Sequence, residues 1–478
     1  MTTADPRRAL PKVDALLAHP LLAPHRDEWG QQPLAGAARH VLDACRTAIG
    51  RGEPVPGAEV LAQRVVEHLD LTGARRVRAV VNATGVVLHT NLGRSPLSSA
   101  AREAVLAASG YSTVEFDLAT GGRGKRGHAA HAMLRTLTGA PGALIVNNAA
   151  AALLLSLGAL ARGKEVVVSR GELIEIGGEF RIPSIMEAAG VTLVEVGTTN
   201  RTHLRDYAEA ITDRTALVLL VHPSNYRIEG FTASPSLPEL AALARQHRIP
   251  VLHDVGSGLL HGTLGEEPTV EDSLRDGADL VVFSGDKLFG GPQAGMIVGA
   301  EDLVAGLARH PIARAVRIDK LTLAALEATL LAHLSGRRDL ELPVWRSLRA
   351  GWGELYSRAQ RLAARLGPGA EVREGVSTPG GGSLPGQTIR SPLVHLTPRN
   401  GSEAATMARL RHGEPPVIAR TEKGRLVVDL RTVAEDDDDT LAAALLRALQ
   451  TPPASGNGSG PATAASTESE DQTQHATS

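Results

Sequence analysis

The sequence is poor in cysteine: Cys45 is the only one. That excludes an intramolecular disulfide, a cysteine-rich zinc site and an iron–sulfur cluster, and it suits a reducing compartment. Net charge is also missing. The 50 Lys and Arg stand against 52 Asp and Glu, so no global field draws the chain to nucleic acid or membrane, and any RNA contact has to be local. No uninterrupted apolar run reaches membrane-spanning length, and the opening MTTADPRRALPK has no apolar stretch of the kind a secretory leader carries. The expectation is a soluble, cytoplasmic protein with no membrane partner. No fixed-period repeat is present.

What is there is length and a patterned apolar content. The 478 residues, 43% of them hydrophobic, exceed one ordinary domain and suffice for a large core. Residues 1–75 read as a small helical module, with helical periodicity in AARHVLDACRTAI and AEVLAQRVVEHL. Over 76–320, Val- and Ile-rich runs (ALIV, EVVVS, TLVEV, ALVLLV, PVLHD, DLVVFS, GMIVG) alternate with helical stretches. Continuous apolar strands separated by helices predict an α/β domain whose mainly parallel sheet is covered on both faces. Residues 321–450 begin with the helical LTLAALEATLLAHL. They continue through strand-like VREGVSTPGGGSLPG, SPLVHLTP and RLVVDLRTV and helical MARLRHG and LAAALLRALQ, which predicts a small α+β domain. The acidic run at 435–439 reads as solvation only. The segment 451–478 has almost nothing to bury and is expected to be disordered.

In open α/β sheets ligands gather outside the carboxyl ends of the strands. After ALIV come Asn147 and Asn148 and then AAAALLLSL, an Asn-capped helix start where a phosphate can approach backbone N–H groups. A capped Ala-rich helix is also a common packing element. After PVLH comes Asp254, a strand-end carboxylate suited to a protonated pyridine nitrogen, or a simple turn former. After DLVVF come Ser284, Gly285, Asp286 and Lys287, then a glycine-rich turn. A lone lysine there would usually be solvated. Together, the phosphate cradle, Asn225 in HPSNYRIEGF, Asp254 and Lys287 follow the chain order of the large aspartate-aminotransferase-like, fold-type I, pyridoxal phosphate (PLP) enzymes. The expectation is an enzyme carrying PLP on Lys287, with Asn225 near the phenolic oxygen and Ser284 helping to hold the phosphate. A desolvated lysine amine serves as nucleophile and later as base.

A closer resemblance rests on VNATGVVLHTNLGRSPLS, EFDLATGGRGKRG, IVNNAAAALLLSL, VVVSRGELIEIGGEFRIPSIMEAAGVTLVEVGTTNRTH, VFSGDKLFGGPQAGMIVG and RAVRIDKLTLAALEATL. From about Val81 to Leu331 the chain resembles the bacterial selenocysteine synthase family, the L-seryl-tRNA(Sec) selenium transferases. The resemblance implies conversion of L-seryl-tRNA(Sec) to L-selenocysteinyl-tRNA(Sec) with selenophosphate, through a PLP-bound aminoacrylyl intermediate. It implies that Lys287 and Asp254 are catalytic and that Arg94, Arg314 and Arg317 receive selenophosphate. The RAVR spacing is compatible, since residues three apart on a helix share a face and arginine forks match phosphate oxygens. A solvated helix face would look the same. It further implies that the N-terminal module recognises tRNA(Sec), with Arg75, Arg76 and Arg78 close by, and that the chain forms a homodecamer of five dimers with subunit contacts at Thr198 and Thr199. Where the family usually has a third Asn, this chain has Ala149.

Three points stay open on sequence. The basic loop 121–127 reads as flexible and either lines the site's mouth, meets the tRNA acceptor end, or is plain surface. Glu172 and Glu175 either face the cofactor ring or order its neighbours. A PLP lyase acting on a free amino acid and a non-catalytic PLP- or tRNA-binding scaffold are the rival functions; the helical module stands against the first, and retention of Lys287, Asp254 and the arginines against the second.

Overall fold

The computed structural model describes residues 5–74, 77–176, 180–398 and 402–450. Arg75, Arg76 and the segment 451–478 lie outside the described residues. The chain forms two compact units that divide between Ala79 and Val80. In the first, Leu34, Ala38, Leu42, Cys45 and Ile49 recur at helical spacing along the helix Gln31–Gly50 and are all buried. The first four of these pack with Leu61, Ala62 and Val65 of the helix Ala58–Ala74 and with Leu16 and Leu22. Cys45 is enclosed there, and Arg64 donates to its sulfur at 3.2 Å.

The second unit is built on a seven-stranded sheet. Its strands are β1 (Gly142–Val146), β2 (Glu165–Ser169), β3 (Thr192–Val196), β4 (Thr215–Val221), β5 (Val251–Gly256), β6 (Leu280–Ser284) and β7 (Gly295–Gly299). These are the seven apolar runs read from the sequence. The spatial order is β1-β7-β6-β5-β4-β2-β3. Neighbours run parallel except at β7, which is antiparallel to both β6 and β1. Strands β2, β6 and β7 are buried at every position, because helices cover both faces and neither needs a polar row. Val166 and Val168 join one core with Leu153 and Leu157 of the helix Ala149–Leu160. Val167 between them points to the other face and a core with Val218 and Val251.

A five-stranded sheet follows the order Arg420–Glu422, Arg425–Asp429, Ile389–Leu396, Ala370–Gly380, Val86–Leu88. The last strand comes from the start of the unit: Val86 and Leu88 pair in parallel with Thr378 and Gly380. Val81 and Asn82 likewise pair with Val417 and Ile418. The stretch 81–88, grouped with the large domain on sequence, thus completes sheets of the C-terminal region. Strands this short have no period to read, and their register is set by partners about 300 residues away. Leu355, Ala359, Leu362 and Leu366 of the helix Trp352–Leu366 pack in the core under this sheet. The acidic run also does more than the solvation assigned to it. Asp438 receives the buried Arg358 at two points, 2.7 Å from Nη2 and 3.0 Å from Nε. Among the described residues no helix is long and apolar enough to cross a membrane.

Candidate active site

Strand β6 ends at Ser284, and the tight turn Gly285–Gly290 returns the chain toward β7. Within it, Gly285 N–H bonds the Ala294 carbonyl at 2.8 Å and Leu288 N–H bonds the Ser257 carbonyl at 2.9 Å. The turn is therefore fixed to its neighbours, and it carries Lys287, which is only 5% exposed. Burial pushes the Lys287 amine below its ordinary range, against the pull of the Asp254 carboxylate, and Arg94 adds to the lowering. Asp254, on β5, is pushed up to about 6 by burial, opposed by Lys287, by the Gly256 N–H and by His222. Two glycines keep space around the amine. A methyl group on Gly256 would lie 3.7 Å from Lys287 Nζ and 3.6 Å from Ser224 Oγ; one on Gly382 would lie 2.8 Å from Nζ. Both glycines have positive φ, +65° and +83°, which also favours the absence of a side chain.

At the other end, Asn148 caps the helix Ala149–Leu160, its Oδ1 accepting the Ala151 N–H at 2.8 Å. That leaves the N–H groups of Ala149 and Ala150 and the positive end of the helix dipole for an anion. Ser284, 7% exposed, pairs across the sheet with Gly295, and a methyl on Gly295 would collide with the Asn148 carbonyl. Ser284 and the capped helix start therefore meet at one edge of the sheet. Asn147 is exposed, and its N–H bonds the Val316 carbonyl at 3.0 Å while Val146 bridges Arg317.

That bridge corrects the reading of Arg314 and Arg317 as one helix face. The helix carrying Arg314 ends at Ala315, and Val316 and Arg317 are drawn out alongside the end of β1. Arg317 thereby arrives beside the Asn147–Asn148 helix start, while Arg314 is exposed on its own short helix. Arg317 pairs with Glu115 Oε1 at 3.2 Å, which also receives Arg126 Nε at 2.9 Å; Arg123 holds Glu115 Oε2 at 3.0 Å. The loop 121–127, read as flexible, is in fact folded back on 115–117. Phe116 bridges Arg123, and Gly124 N–H bonds the Glu115 carbonyl at 2.9 Å. Arg94, in the left-handed region at φ 61°, places Nη1 2.8 Å from the carboxylate of Asp286, next to Lys287.

Asn225 is exposed and donates to the Glu175 carbonyl at 2.7 Å. Its neighbour Ser224 is the buried one, 2% exposed. Glu175 is exposed and pairs with Arg181 at 2.6 Å. Glu172 accepts the Val221 N–H at 2.9 Å, and burial of its carboxyl pushes it up to about 8. Glu172, His222, His253 and Glu267 line a cavity of about 460 Å³ at the carboxyl ends of β2, β4 and β5. Burial drives His253 down to about 4. Burial works to raise Glu267, but His222, Ser257 and the Leu384 N–H outweigh it and hold the carboxyl below its usual range. Thr198 accepts from Arg201 N–H and donates to the Arg201 carbonyl at 3.0 Å. Sequence reasoning passed over Ser224, Glu267, Asp286 and Gly382. Asp286 beside Lys287, Ser224 beside Asn225 and Gly382 in the run Gly380–Gly382 lie in stretches the sequence marks, while Glu267 lies in none.

A buried amine held below its ordinary range, a carboxylate in its field, glycine clearance on two sides and a capped helix start fit an aldehyde-bearing pyridine phosphate. The comparisons with known proteins point the same way. A family model described as L-seryl-tRNA selenium transferase matches residues 80–434, and one described as selenocysteine synthase N terminal matches 7–46. The chain is 47% identical to the L-seryl-tRNA(Sec) selenium transferase of Moorella thermoacetica, over 93% of this chain and 97% of the relative. It is 46% identical to that of Geobacter metallireducens, over 91% and 98%. Among solved structures, a D-glucosaminate-6-phosphate ammonia-lyase superposes with TM-score 0.57 at 22% identity, over 80% of this chain and 98% of the other. That likeness shows the fold.

Proposed function

The chain belongs to the L-seryl-tRNA selenium transferase family, and on that premise we propose that it converts L-seryl-tRNA(Sec) to L-selenocysteinyl-tRNA(Sec) with selenophosphate as the selenium donor. It is a PLP-dependent transferase of the fold-type I class. The observation that carries the assignment of the centre is the buried Lys287 amine in the field of the Asp254 carboxylate. Bound there, PLP supplies an electron sink for the seryl α-carbon.

The residues divide the work. Lys287 would hold the cofactor, and its Nζ, biased toward the neutral form by burial, would take up the seryl α-proton. Asp254, ionised above about pH 6, keeps a proton on the ring nitrogen. Asn147, Asn148 and Ser284, with the first turn of Ala149–Leu160, would seat the cofactor phosphate, and Asn225 would serve its phenolic oxygen. Arg94, Arg314 and Arg317 bind the selenophosphate dianion by charge-assisted hydrogen bonds. The seryl hydroxyl leaves as water, selenium adds to the β-carbon, and hydrolysis of the Se–P bond consumes one water and releases phosphate. The N-terminal unit is assigned to tRNA(Sec), and the assembly to a cytoplasmic homodecamer of five dimers.

Identity of 47% over nearly the whole chain, the helical unit included, favours this over a lyase for free amino acids. The test is selenium transfer from selenophosphate to serylated tRNA(Sec) by the purified protein. Release of pyruvate or ammonia from free serine with no labelled aminoacyl-tRNA would reverse the choice. Size measurement in solution tests the decamer.

A further inference from the structure

We propose that Glu267 is a positioning residue for the lysine centre: it fastens the loop Gly380–Gln387 over Lys287. The loop joins two strands of the small sheet, Ala370–Gly380 and Ile389–Leu396, whereas Glu267 lies in the large sheet's half of the unit, shortly before the helix Val270–Arg275. Its side chain is 1% exposed. One carboxylate oxygen accepts the Leu384 N–H at 2.8 Å, and the other faces His222 Nε2 at 3.6 Å. His222 in turn donates its backbone N–H to the Asp254 carbonyl at 2.9 Å. A single buried carboxylate thus spans from the strand pair that carries Asp254 to the loop that touches Lys287.

The loop needs such a tether. Leu384 is a leucine in the left-handed region, φ 52°, a conformation that costs a non-glycine residue free energy and persists only when its surroundings enforce it. Leu384 and Ser383 are 4% and 1% exposed, so no water takes the place of a lost acceptor cheaply. Two other contacts set the same docking. Gly265 lies so close to the Gln387 side chain that a methyl there would collide with it, and Gly382 leaves only 2.8 Å between a methyl position and Lys287 Nζ. Release of Leu384 therefore frees the segment that closes one side of the amine. Glu267 lies far from the apolar runs and in no motif, and it needs no contact with either substrate to act.

The inference rests on Lys287 as the PLP lysine, so its test separates the two. Hydrogen exchange of the loop is followed in the full-length holoenzyme for wild type, Glu267→Gln and Glu267→Ala, together with the pH titration of the visible band of bound PLP. The Gln variant keeps the shape and an acceptor for Leu384, so it preserves the fold if the Ala variant does not. Loop amides are expected to exchange roughly ten- to a hundredfold faster in Glu267→Ala and less so in Glu267→Gln, the range for losing one charge-assisted bond. The midpoint of the visible titration is expected to move in the same order. Unchanged exchange in both variants, or faster exchange with an unmoved midpoint, overturns the proposal. A wild-type protein with no visible band overturns the cofactor reading instead, and the exchange result still stands by itself.

Discussion

At the scale of single residues, the site is governed by what burial does to charge. Lys287→Ala removes the only amine in the cluster, and the expected result is loss of both the visible cofactor band and selenium transfer; retention of both in the purified variant would refute the assignment. Arg314→Ala is the cleaner probe of the second substrate, because removing Arg94 strands the carboxylate of Asp286 and removing Arg317 takes one of three arginines from Glu115. Losing one charge-assisted contact, about 1.5–3 kcal/mol, raises half-saturation by selenophosphate roughly ten- to a hundredfold at saturating seryl-tRNA. The seryl-tRNA affinity should not change.

Glu172 gives a prediction with a definite sign in pH. Its folded value near 8 stands above the ordinary 4.5, so between those limits the folded protein keeps a proton that the unfolded chain has lost. The stability this brings is fully present below about pH 4.5 and lost as pH rises through 8, on the order of 5 kcal/mol across the window. Glu172→Gln keeps an acceptor for the Val221 N–H without the ionisation. In the PLP-free protein the variant should match wild type at pH 5 and melt higher at pH 8. Parallel melting curves across that range would show that the carboxyl ionises freely.

At the scale of elements, the sequence was legible wherever a pattern was long and local. All seven strands of the large sheet coincide with apolar runs, and the helix Ala149–Leu160 begins where Asn148 was expected to cap it. The cap can be tested without catalysis: Asn148→Ala should cost about 1 kcal/mol, read as a lower melting temperature of the PLP-free protein, because the Ala151 N–H loses its acceptor. What failed was inference from spacing alone. Arg314 and Arg317 stand three apart, but the bond from Asn147 N–H to the Val316 carbonyl takes the chain out of the helix between them. The short strand Val86–Leu88 was invisible for a related reason, since its partner lies at 378–380. Asp438 read as one of several solvated acids until the buried Arg358 supplied its partner.

At the scale of the whole molecule, the two units have separate apolar cores, one gathered around Leu34, Leu42 and Leu61 and the others around the two sheets. Each unit thus has a core of its own, so removing the first should leave the second able to fold. Everything assigned to PLP and to selenophosphate lies after Val80. A chain beginning at Val80 is therefore expected to bind PLP with the wild-type spectrum. The net charge of the full chain is only -2, so no general attraction is available to replace a lost tRNA contact. If the N-terminal unit recognises tRNA(Sec), the shortened chain loses affinity for it by more than about tenfold in a filter-binding assay at fixed salt. Its cofactor band stays as it was. Equal tRNA affinity with the spectrum intact would move recognition onto the second unit, where the Arg123–Arg126 loop around Glu115 would be the next surface to test.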